Sequence, residues 1–75
     1  MSEDIPVLKP TELITALEKA GFHVIRQSGS HVILYKEGLN RTIPVPVHPG
    51  ELKKNLQNRI IKEAGMTRDE LKKYL

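Results

Sequence analysis

The chain has 75 residues, no cysteine and a formal net charge of +3 at pH 7. A chain of this size buries only about 60% of the surface its unfolded form exposes, so chemistry belongs on a surface or in a shallow groove. The missing cysteine excludes a disulfide framework, a thiolate metal site and a cysteine nucleophile. No stretch approaches the roughly 18 apolar residues of a membrane helix.

The opening segment MSEDIPVLKP is acidic and contains no apolar run, unlike a secretory signal. A soluble, cytoplasmic protein with no membrane association is expected. Residues 1–9 are expected to be a flexible N-terminal arm, and residues 10–75 a single domain. A first helix is predicted from Pro10 or Thr11 to Ala20, with Leu13, Ala16, Leu17 and Ala20 on one stripe. Thr11 serves as its expected N-cap and Gly21 as the residue that ends it with a left-handed backbone. Phe22 then packs back on the last turn.

Three short strands follow. Phe22–Gln27 is rich in bulky residues, and Ser28-Gly29-Ser30 supplies a tight hairpin turn in which glycine tolerates positive φ. The second strand is His31–Lys36, and residues 37–40 turn the chain again. In Arg41–Val47, Ile43, Val45 and Val47 alternate with Thr42, Pro44 and Pro46. The two prolines donate no ladder hydrogen bond, which assigns this strand to a sheet edge. A second helix is predicted over about Glu51–Ala64, with Leu52, Leu56, Ile60 and Ala64 at helical spacing and Gly65 beyond its end. Thr67-Arg68-Asp69-Glu70 reads as a capping box opening a short terminal helix that places Leu71 and Leu75 in the core. The predicted class is α+β, in the order α-β-β-β-α-α, with a three-stranded antiparallel sheet and the helices packed on one face.

Side chains alternate between the two faces of a strand. Val32 and Leu34 therefore join Ile43, Val45 and Val47 as core candidates, and His31, Ile33 and Tyr35 share the open face. Charge is distributed unevenly. Between Arg26 and Lys62 there are seven basic and two acidic residues, a net +5 against −2 for the rest of the chain. A basic middle points to a polyanion or an acidic protein partner, and solvated surface lysines are the plain alternative.

Neither GxxxxGK[ST] nor GxGxxG is present. The histidines at 23, 31 and 48 lack metal-ligand spacing and have no carboxylate cluster beside them. Neither a metal nor a cofactor is expected. What remains is His31 at the mouth of a hairpin in the basic half of the chain. Histidine has an ordinary pKa of about 6.5, which suits proton transfer at neutral pH. RNA carries its own nucleophile, the 2′-hydroxyl. A metal-free ribonuclease therefore needs only proton-transfer groups and cations around the phosphate. The competing reading of His31 is a solvated strand residue beside a turn. Tyr35 is a candidate for stacking on a base or simply a strand-favouring residue. His48 either seats a phosphate before the second helix or shapes the bend there. Lys53, Lys54, Arg59 and Lys62 are candidates for a phosphate-binding helix face.

Four segments in this order resemble a known family: LKPTELITALEKAGF (8–22), the hairpin Gly29-Ser30-His31, IPVPVHP (43–49) and LKKNLQNRIIKEAGMT (52–67). Together they are similar to HicA toxins over roughly residues 8–72. The resemblance implies a fold like the double-stranded-RNA-binding domain. It also implies an mRNA interferase, a metal-independent endoribonuclease of a stress-response toxin–antitoxin system, inhibited by a HicB-type antitoxin. It assigns catalysis to His31, with Gly29 and Ser30 carried over as geometry and as backbone or hydroxyl contacts. His48 matches a recurrent family histidine without an assigned role. Tyr35, Lys36, Arg41, Lys53 and Lys54 complete the expected RNA-binding or supporting set. A free monomer is expected, with higher-order assembly only alongside the antitoxin. The alternatives are a non-catalytic RNA-binding module of the same fold and a pure protein-interaction domain.

Overall fold

The computed structural model describes residues 5–75, running α1 (Pro10–Lys19), β1 (His23–Ser28), β2 (His31–Tyr35), β3 (Ile43–Pro46), α2 (Lys54–Glu63) and α3 (Arg68–Lys72). The strands form one antiparallel sheet in the order β1-β2-β3. This is the α+β arrangement expected from the sequence. β3 is an edge strand, as its two prolines require.

Local chemistry sets the helix ends. Lys9, and not Thr11, is the N-cap of α1. Pro10 takes the first helical position, where its fixed φ suits the helix, and the Lys9 N–H donates to Glu12 Oε1 at 2.9 Å. At the other end Gly21 has φ +108. The Gly21 N–H then donates to the Glu18 carbonyl and the Phe22 N–H to the Leu17 carbonyl, both at 3.0 Å, which satisfies carbonyls the helix leaves free. α3 opens on the expected capping box, with the Thr67 N–H on Glu70 Oε1 and the Glu70 N–H on Thr67 Oγ1.

α2 begins at Lys54, later than its apolar spacing implies. Leu52 is buried in an extended segment before the helix, its N–H bonded to the Leu8 carbonyl at 2.8 Å. Residues 5–9 also differ from the flexible arm expected over 1–9; residues 1–4 of that span lie outside the described residues. Ile5 and Leu8 belong to the core. Gln57 on α2, only 1% exposed, accepts from the Leu8 N–H at 2.8 Å and donates to the Pro6 carbonyl at 3.1 Å. A buried amide is costly unless its hydrogen bonds are made, and here it ties the segment preceding α1 to α2.

The core lies between the helices and one sheet face. Leu13 and Leu17 of α1, Ile60 and Ile61 of α2 and Leu71 of α3 meet Leu34, Ile43 and Val45 there. Val32 and Val47 are only half-buried, and Leu75, expected in the core, is exposed. Ile33 departs from its expected open position at 8% exposure. It sits on the central strand with Arg26 on one side and Pro44 on the other, and cross-strand neighbours of this kind shield a strand residue from solvent. The β1–β2 pairing shifts register between Val24 and Arg26. This bulge leaves Ile25 51% exposed on an edge strand, an irregularity that discourages edge-to-edge pairing.

Candidate active site

β1 and β2 are joined by the two residues Gly29 and Ser30, with Ser28 paired to His31 across the turn. Gly29 has φ +60, a conformation suited to the first central position of a tight hairpin turn. The turn starts β2 at His31, whose side chain is exposed. Pairing with β3 is equally tight on this side. His31 lies opposite Pro46 and Ile33 opposite Pro44, and the Val47 N–H donates to the Ser30 carbonyl at 2.6 Å.

That register places His31 over the edge strand, and α2 packs along the same edge. Between them runs an open groove of about 460 Å³, lined by His31, Pro44, Pro46, Leu56, Arg59, Ile60 and Glu63. Arg59 and Glu63 stand one helical turn apart on α2. Both also line a second groove of about 650 Å³, shared with Asn40, Arg41 and Lys62. The two grooves adjoin through the Arg59 and Glu63 side chains. Together they carry a histidine, a carboxylate and three cations, a set able to hold a phosphodiester and move protons about it.

The other sequence candidates fall at different distances from this groove. Arg41, expected as a supporting residue, lies on the adjoining one. Lys62 lies there too, while Arg59 also lines the groove that His31 faces. Tyr35 and Lys36 stand at the far end of β2. Lys36 is half-buried, with its Nζ 5.6 Å from the centroid of the Phe22 ring, and so serves the end of α1 rather than the groove. His48 is exposed beyond β3, its Nδ1 3.0 Å from the Pro49 carbonyl oxygen, a contact that favours its bend-shaping reading. Lys53 caps α2 and Lys54 begins it, both exposed and outside the His31 groove. Among the described residues, no three His, Cys, Asp or Glu side chains gather as metal ligands, and no helix is long and apolar enough to cross a membrane.

Glu63 was not singled out by sequence reasoning. Its spacing of four from Arg59 is visible in the chain, but the approach of both to His31 depends on how α2 docks on β3.

The sequence model of a family described as "HicA toxin of bacterial toxin-antitoxin" matches residues 10–66. That span runs from the first residue of α1 to just past the end of α2. No curated protein matches the chain.

Proposed function

Because the chain belongs to the HicA toxin family, toxins of bacterial toxin–antitoxin pairs, we propose that it is a metal-independent endoribonuclease. It cleaves mRNA through His31 and is neutralised by a HicB-type antitoxin. The observation that carries this reading is the exposed His31, held at a tight turn and facing a groove that it shares with Arg59.

RNA lies along the two adjoining grooves, its phosphates held by Arg41, Arg59 and Lys62. His31 moves a proton at the scissile bond, and the neighbouring guanidinium offsets the charge that builds on the phosphate. Gly29 and Ser30 fix the turn from which His31 projects. Lys53 and Lys54, at the start of α2, add phosphate attraction away from the reacting bond.

A gel assay of a structured mRNA in EDTA, comparing wild type with His31→Ala, tests the reading. The expected result is cleavage by wild type, lost in a variant whose circular dichroism is unchanged. Equal cleavage by both proteins overturns the role of His31. The three cations of the grooves also suit a non-catalytic RNA-binding module, and that reading predicts intact RNA shifted in mobility in both lanes.

A further inference from the structure

The groove facing His31 contains a second side chain with an oxygen able to accept a proton, and it is Glu63. The rest of the lining is two prolines, two apolar residues and Arg59, whose guanidinium remains charged. Glu63 is the one described Asp or Glu side chain that is half-buried; Glu12, Glu18, Glu37, Glu51, Asp69 and Glu70 are all exposed. It is also the last residue of α2. A carboxylate there meets the negative end of the helix dipole, an unfavourable place for it, and an arginine preceding it by four residues is the weaker order for an ion pair within a helix. Local stability therefore gives little reason for an acid at this position. Its neighbours across the groove give a chemical one.

We propose that Glu63 is the general base of the cleavage reaction, paired with His31 as general acid and with Arg59 as the cation on the scissile phosphate; this rests on the ribonuclease reading above. The Glu63 carboxylate takes the proton of the 2′-hydroxyl as that oxygen attacks the adjacent phosphorus. The P–O2′ bond forms and the P–O5′ bond breaks. The His31 imidazolium gives its proton to the departing 5′-oxygen, while Arg59 stabilises the negative charge on the non-bridging oxygens. The products are a 2′,3′-cyclic phosphate and a 5′-hydroxyl. No water, metal or redox partner is consumed, and both side chains return to their starting states by proton exchange with solvent. The charged groups that line the two grooves together with Glu63 are His31 from β2, Arg41 from the segment before β3, and Arg59 and Lys62 from α2.

The test is the pH dependence of single-turnover cleavage of an RNA oligonucleotide in EDTA by wild type, His31→Ala, Glu63→Gln and Glu63→Asp, with product ends mapped. Wild type is expected to show a bell-shaped profile and cyclic phosphate ends. Glu63→Gln is expected to lose about 100-fold or more in rate, together with the acidic limb of the bell, without a fall in melting temperature. Glu63→Asp, which keeps the carboxylate, retains that limb at a reduced rate and supports the proposal if the glutamine variant melts early. A wild-type rate and an intact bell in Glu63→Gln, with His31→Ala inactive, overturn the role of Glu63 and leave the ribonuclease reading standing. No cleavage by wild type, or full activity in His31→Ala, overturns both.

Discussion

At one end of β2, His31 stands exposed beside a two-residue turn and faces a groove shared with Arg59 and Glu63. At the other end, Lys36 is half-buried, its Nζ over the Phe22 ring and its Cε close to Gly21. Both residues are polar, both flank a turn, and they are five positions apart on one stretch of chain. The difference lies in what each end is packed against. At the Lys36 end the strand meets the close of α1, where Gly21 and Phe22 need cover, and a long aliphatic stem with a charged tip provides it. At the His31 end the neighbours are edge-strand prolines and the open side of α2, so the imidazole keeps its access to solvent. A charged or titratable residue becomes a site when its surroundings leave it free, and a support when they do not.

The largest effect expected from breaking this contrast is on activity. His31→Ala should reduce cleavage by about 10²–10⁴-fold while leaving the melting temperature within a degree or two, measured on the same preparation. Between the two ends lies Leu34, with no exposed surface. Leu34→Ala should cost about 2–5 kcal/mol in urea unfolding, with activity per folded molecule preserved. The glycines near the two ends, Gly21 after α1 and Gly29 in the hairpin turn, sharpen the comparison next. Gly21→Ala forces an L side chain into φ +108 with Lys36 Cε 3.3 Å from the new Cβ. It should cost about 1–2 kcal/mol and leave cleavage alone. Gly29→Ala, at φ +60 with no neighbour within 4 Å, should cost about 1 kcal/mol and lower cleavage as well, because it reshapes the turn that presents His31. The smallest effect is Lys36→Ala: a loss of about 0.5–1 kcal/mol from the cation–π contact, read by thermal melts, with the cleavage rate unchanged. A Lys36→Ala variant that folds normally but no longer cleaves RNA would return Lys36 to the site and erase the contrast.

Much of the fold was legible in the chain because it rests on short-range rules. Leu13, Ala16 and Leu17 at helical spacing, the glycines that end α1 and α2, the Thr67–Glu70 capping box and the Gly29-Ser30 turn each depend on residues within a few positions of one another. The prolines at 44 and 46 assigned β3 to an edge for an equally local reason, the missing N–H. His31 at the head of β2 followed from the turn and from the resemblance carried by its tripeptide.

Long-range packing decided the rest. Ile5 and Leu8 join the core because Gln57, some fifty positions away, bonds the backbone of Pro6 and Leu8; a polar residue in a helix gives no such sign in the sequence. Leu52 fits the helical stripe but is buried from an extended segment bonded to Leu8. Ile33 has the parity of an open-face residue and is nevertheless buried. The approach of Glu63 and Arg59 to His31 across about thirty residues likewise depends on the β2–β3 register and on the docking of α2 along β3. By itself, then, the sequence determined which segments become helix, strand and turn, and where the histidine of the hairpin stands. The tertiary structure alone decided which carboxylate and which cation share a groove with it, because periodicity encodes the face a side chain takes and only packing encodes what that face meets.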